Sequence, residues 1–194
     1  MLFRSIESPW YRKLWGDRFR LTSDQNTKSR FDNDKGGSRL STSVGSALTG
    51  EGGHIIVVDD PNAAQEAFSE ATIAATIEWW DSALSTRLND PKSGAFIVIQ
   101  QRLSEEDLTG HILSKDVGDW THLCLPMRYE RDRAWSTGIG WSDPRTEDGE
   151  LLWPERFGEP EVKGLEKTLG PWADRKSTRL NSSHIPLSRM PSSA

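Results

Sequence analysis

The feature that most constrains this chain is a short run, His54-Ile55-Ile56-Val57-Val58, closed by Asp59-Asp60-Pro61. Four β-branched residues in a row are too short for a helix and too apolar for a surface loop. Such a run predicts a strand buried on both faces of a parallel sheet. Ala95-Phe96-Ile97-Val98-Ile99, followed by Gln100-Gln101-Arg102, predicts a second strand of the same kind. Between them Ile73, Ile77, Trp80, Leu84 and Leu88 recur at spacings of 4, 3, 4 and 4. That is one face of a long helix over about 65–87, which Asn89-Asp90-Pro91 ends.

The same reading extends outward. Ser104 takes the N-cap position of a further helix and Asp107 its capping-box position, with Leu108, Ile112 and Leu113 on the apolar face. Trp120 to Leu125 predicts another strand. Upstream, residues 1–18 predict a short helix with Trp10, Leu14 and Trp15 on one face. Short strands are expected at 19–22 and 38–44, and a Gly-rich loop at 45–53. Beyond Pro126 the chain is irregular and Trp-rich until a short helix at 161–169. Strand, helix, strand, helix, strand is the α/β pattern with a mostly parallel sheet.

Composition narrows the function classes. A single cysteine, Cys124, excludes an internal disulfide framework and a multi-cysteine zinc site, and its apolar strand predicts a core position. His54, His111 and His122 lack metal-ligand spacing and read as structural. No run approaches 18 apolar residues, so a membrane span is not expected, and the first residues lack the apolar stretch of a signal peptide. A soluble, intracellular protein is the expectation. The net charge of −5 argues against an overall cationic coat but leaves room for a local basic patch.

The apolar fraction of 35% points to long polar loops or to a segment foreign to the fold. Residues 174–194, DRKSTRLNSSHIPLSRMPSSA, fit the second description: six of 21 are Ser and none is aromatic. DRKSTRLNSSH resembles the in-frame translation of a sequencing adapter, and SRMPSSA its far end, which implies a non-native, disordered tail. Without it the expected charge is −8 over 173 residues.

The chemistry concentrates at the strand ends. Ligands of open α/β sheets collect beyond the carboxyl ends of the strands. Adjacent carboxylates there, Asp59 and Asp60, can hold a hydrated magnesium ion and orient a water for attack on phosphate. The plain alternative is an Asx turn closing the strand. Gln101 and Arg102 end the neighbouring strand and would face a nucleotide or a moving subdomain; a solvated strand end is the plain alternative. GSALTGEGG lacks the Gly-Lys-Ser/Thr ending of a P-loop, and no GxxxxGK[ST] occurs in the chain. Lys28, Arg30, Lys35 and Arg39 could touch phosphates, although Asp24, Asp32 and Asp34 interleave them as in a solvated loop.

These segments, from LTSDQNTKSRFDNDKGGSRLSTSVGSALTGEGGHIIVVDDP through WWDSALSTRLNDPKSGAFIVIQQRLSEEDLTGHIL and WTHLCLPMRYE to GELLWPERF, closely resemble the large terminase subunit of tailed bacteriophages and prophages. The resemblance covers about residues 5–173. It implies an α/β sheet of the additional-strand, P-loop ATPase type, incomplete on its N-terminal side. In the family, ATP hydrolysis drives double-stranded viral DNA into the procapsid, and a separate nuclease domain cuts it. Carried over by position, Asp59 matches the Walker B magnesium acid and Asp60 the catalytic carboxylate, more often Glu. Gln101 and Arg102 fall in the coupling motif. Arg30, Lys35 and Arg39 are candidate DNA or trans contacts.

The resemblance implies ATP and Mg²⁺ as cofactors. It implies viral DNA, the small terminase subunit, the portal protein and further copies in a ring as partners, with no membrane, in the cytoplasm of an infected bacterium. It divides the chain into a partial ATPase core (1–125), a linker or lid region (126–173) and the tail (174–194). The Walker A loop is expected upstream of Met1 and the nuclease acids beyond residue 173, so the chain alone is expected to be inactive. Two rival readings stand beside it. One is a two-metal nuclease fragment drawing on Asp59 with Glu105, Glu106 and Asp107. The other is a non-catalytic remnant prophage interaction module.

Overall fold

The computed structural model describes residues 5–22, 27, 29–63, 69–102, 104–115, 120–134, 136–138, 140–169 and 187–188. Lys28, the expected helix start at 65–68, and most of the 174–194 tail lie outside them. The chain divides into two compact units, Met1–Ser46 and Ala47–Ala194.

In the first unit, helix α1 spans Pro9–Trp15, shorter than the sequence predicts. Ser8 caps it by accepting the Tyr11 N–H at 3.2 Å, and Pro9 opens it where a missing N–H costs nothing. Trp15 packs against both Trp10 and Tyr11. Strands β1 (Arg30–Asp32) and β2 (Ser38–Leu40) pair antiparallel. The Asn33 side chain closes their turn by accepting the N–H groups of Lys35 and Gly37 at 2.9 and 2.8 Å, and Gly36 takes φ 77° there. The strand expected at 19–22 is reduced to one antiparallel bridge, Leu21 to Asn33, and β2 stops at Leu40 rather than Val44.

The second unit is mixed α/β. Strand β3 (Ile55–Asp59) runs parallel to β4 (Ala95–Ile99), with Ile55 opposite Ala95 and Asp59 opposite Ile99. Between them lie helix α2 (Glu70–Trp79) and a π-helical turn (Trp80–Leu84). The π bond, Ser85 N–H to the Trp80 carbonyl at 3.0 Å, widens the turn and suits the four-residue spacing that buries both Trp80 and Leu84. Helix α3 (Leu108–Ser114) follows. Its cap is Asp107, not Ser104: the Asp107 carboxylate accepts the Gly110 N–H at 2.9 Å, and Ser104 instead accepts the Glu106 N–H.

One sheet face forms the core. Val58, Phe96 and Val98 pack with Trp80, Leu84, Leu108, Ile112 and Leu48, and Trp80 meets Phe96 and Trp120 ring to ring. The expectation that β3 is buried on both faces fails: Ile55 and Val57 are 65% and 54% exposed. Strand alternation turns them away from the face on which the π turn and helix α3 pack. The expected strand at 120–125 is two residues, β5 (Trp120–Thr121). It joins the sheet through β6 (Leu187–Ser188), which pairs antiparallel with both β4 and β5, giving the order β3-β4-β6-β5. The only parallel pair in the described sheets is therefore β3 with β4, and these two tail residues are in a strand.

After β5, a bridge from Arg128 to Leu151 and helix α4 (Glu159–Leu169) organise the remainder. Arg145 is 6% exposed; its guanidinium pairs with Asp143 at 2.7 Å and donates to the Pro126 and Glu150 carbonyls. Arg128 clamps α4 through Glu159 and Glu166 at 2.6 and 2.7 Å. No helix among the described residues is long and apolar enough to cross a membrane.

Candidate functional site at the tips of the parallel strands

The parallel register places the ends of β3 and β4 side by side, so Asp59, Asp60, Gln101 and Arg102 all leave the same edge of the sheet. Asp59 is exposed at the last residue of β3. Asp60 turns the chain. It adopts φ 42°, a left-handed conformation that Asp tolerates better than most residues because its short side chain can bond locally.

That conformation bridges the two strands. The Asp60 N–H donates to the Ile99 carbonyl at 2.8 Å, and one Asp60 carboxylate oxygen accepts the Gln101 N–H at 2.9 Å. Asp60 therefore stands both as the strand-closing Asx residue and as a carboxylate at the tip, with its second oxygen left to other partners. Just beyond, Asn62 donates to the Thr76 hydroxyl at 2.8 Å, while its side-chain oxygen is buried with no hydrogen-bond partner among the described residues.

The β4 tip is fastened to α3. Gln100, 4% exposed, accepts both the N–H and the hydroxyl of Thr109, at 3.3 and 3.0 Å. Arg102 folds back rather than outward: its Nε donates to the Asp107 carboxylate at 2.8 Å and its Nη2 to the Glu105 carbonyl at 3.1 Å. Gly110 is required here, because a Cβ would collide with that Glu105 carbonyl. His122, next after β5, has its pKa lowered to about 4, first by burial and then by the Arg102 charge. The imidazole is thus neutral near pH 7.

The structure brings Asp59, Asp60 and Gln101 to one edge and commits the Arg102 guanidinium to the start of α3. Asp107 is buried as cap and ion-pair partner, and Glu105 and Glu106 sit exposed in the turn before it. Among the described residues, no group of three or more His, Cys, Asp or Glu could hold a metal ion. Arg30, Lys35 and Arg39 belong to the first unit. Arg30 lies 3.9 Å from Asp32, Lys35 is exposed in the hairpin turn, and Arg39 stacks over the Phe31 ring at 5.8 Å. Sequence reasoning missed Gln100 and Asn62 as organisers of the tip, and it placed Asp107 at the capping-box position rather than at the cap itself. Gln100 looked like one more polar residue after a strand, and only its burial distinguishes it from Gln101. Comparison with protein-family models, curated proteins and solved structures gives no match for this chain.

Proposed function

We propose that this chain is a middle part of a phage-type DNA-packaging motor, carrying the metal-binding and coupling strands of its ATPase core. The observation that carries the reading is the Asp59-Asp60 pair at the tip of a strand parallel to β4, with Asp60 bound to the Gln101 N–H. Mg²⁺ characteristically takes one or two carboxylates and completes its shell with water and substrate phosphate. The exposed Asp59 carboxylate and the second oxygen of Asp60 fit that demand. Bound there with ATP, the ion would neutralise charge on the transferring phosphate.

In this reading Asp59 holds the ion's shell. Asp60 orients a water while staying tied to β4, so the position of Gln101 follows that of Asp60. Gln100 and Arg102 fix the same strand end to α3. In this reading the β3–β4 pair belongs to the P-loop ATPase type of sheet that the sequence resemblance implies, incomplete on its N-terminal side.

The chain has no phosphate-cradling GxxxxGK[ST] loop, so the isolated protein is expected to show no ATP turnover above background and no micromolar nucleotide affinity. Titration with Mn²⁺ tests the site directly. Amide NMR signals of Asp59, Asp60 and Gln101 should broaden first, and Asp59→Asn should abolish the effect. No selective broadening there sinks the metal reading. Sequencing the flanking DNA tests the parent protein: an in-frame upstream GxxxxGK[ST] supports the motor, and an upstream frame without one removes it.

A further inference from the structure

We infer that the sheet holds a strand-wide slot between β4 and β5 that takes an extended segment of a partner polypeptide, β6 being its short occupant in cis. This goes beyond the motor reading and does not depend on it.

The two walls of the slot do not pair with each other. β6 lies between them and runs antiparallel to both, with Leu187 opposite Ile97 on one side and Thr121 on the other, and Ser188 opposite Trp120. Each wall is fixed by contacts of its own. β4 pairs along its whole length with β3 and sends Phe96 and Val98 into the core. β5 is held by Trp120, whose ring meets Trp80 at 6.1 Å. The slot is thus built by strands and helices before residue 122, and it is filled from the Ser-rich 174–194 segment.

The occupant fills it poorly, and its sequence gives the reason. β4 is five residues long and β6 is two, and among the described residues only Ile97 of β4 pairs with β6. Pro186 and Pro191 bracket β6 in the sequence. Proline has no N–H to give to a ladder, so this segment cannot match β4 along its length. The main-chain groups of a strand edge accept any extended chain that satisfies them, with affinity set by backbone hydrogen bonds. A proline-free extended segment of five residues matches Ala95–Ile99, bonds to both walls and displaces β6. The partner is therefore defined by its backbone: extended, free of proline and longer than β6. Each further hydrogen bond is worth about fivefold in affinity.

The probe is a synthetic peptide of residues 182–194 with Pro186→Val and Pro191→Val, labelled at its N-terminus with a fluorophore. Titrated with the full chain, it should bind saturably with a Kd below about 100 µM. The unaltered 182–194 peptide should bind at least about fivefold more weakly. By hydrogen exchange, the amides of 95–99 and 120–121 should gain protection when the probe is added. The full-chain variant Leu187→Pro/Ser188→Pro cannot pair its own strand. It should bind the probe about tenfold more tightly than wild type, the factor for a cis strand that occupies the slot about nine-tenths of the time. Absence of binding to both chains overturns the proposal. So does equal affinity for both, or binding without protection of 95–99, because the probe then sits elsewhere. If the proline variant loses its circular dichroism, the probe should restore it, and failure to restore it overturns the proposal likewise. None of these outcomes bears on Mn²⁺ binding at Asp59.

Discussion

The Asp60 carboxylate accepts the Gln101 N–H across the tips of two parallel strands, while the Asp60 backbone occupies the left-handed region. One residue thus ends β3 and holds the end of β4. Asp60→Ala should destabilise the chain by about 1–2 kcal/mol, from a lost hydrogen bond and a Cβ with poor tolerance of that φ. Asp60→Asn keeps an acceptor and a tolerant backbone and should stay within about 0.5 kcal/mol of wild type. Urea unfolding measures both. An alanine variant as stable as wild type would show that the strand tips hold together without this bond.

Asp107 should be worth more than an ordinary cap. It accepts the Gly110 N–H and also neutralises Arg102, and its side chain is 4% exposed. Asp107→Ala should cost about 2–4 kcal/mol, combining a lost cap with an unpaired, half-buried guanidinium. Asp107→Asn, which preserves the cap, should recover part of the loss. Equal losses for the two variants would assign the whole effect to charge.

Arg145 and Asp143 form the most enclosed ion pair among the described residues, with side chains 5% and 3% exposed. Arg145→Ala should cost about 3–5 kcal/mol because it leaves a buried carboxylate alone, and the double variant Asp143→Asn/Arg145→Met should lose less than the two single changes added together. Burial pushes the Asp143 pKa up, but the Arg145 hydrogen bonds and charge outweigh it and hold the carboxyl below its ordinary range. The folded pKa is therefore depressed. The stability it contributes is present above the ordinary carboxylate pKa and is lost as pH falls below it. Urea midpoints near and below pH 4 should fall more steeply in wild type than in the double variant.

His122 titrates in a different window. Its folded pKa of about 4 lies below the ordinary histidine value of about 6.5, so the unfolded chain binds this proton first. Stability from this group is complete above pH about 6.5 and declines as pH falls toward 4. His122→Phe should flatten that part of the pH profile. NMR should show a neutral ring at pH 5.5, and a ring titrating near 6.5 would contradict its desolvation.

Local chemistry alone was enough for several elements. The β-branched runs at 55–58 and 95–99 made strands because their side chains fit a pleated, buried surface, and the 3.6-residue recurrence from Ile73 to Leu84 made a helical segment. The clustering of Asp59, Asp60 and Gln101 was legible too, since two consecutive parallel strands must end on the same side. What the residues could not decide was which partners each group meets. A continuous apolar run does not say whether one face or two are covered, and Ile55 and Val57 proved exposed while Val58, Phe96 and Val98 on the other face pack against the π turn and α3. Nor could spacing tell Ser104 from Asp107 as the helix cap, or an outward Arg102 from one folded onto α3. Those choices rest on contacts made by residues distant in the chain or by the path of a turn. Tertiary packing sets them, because burial without a partner penalises a polar group far more than any local preference rewards it.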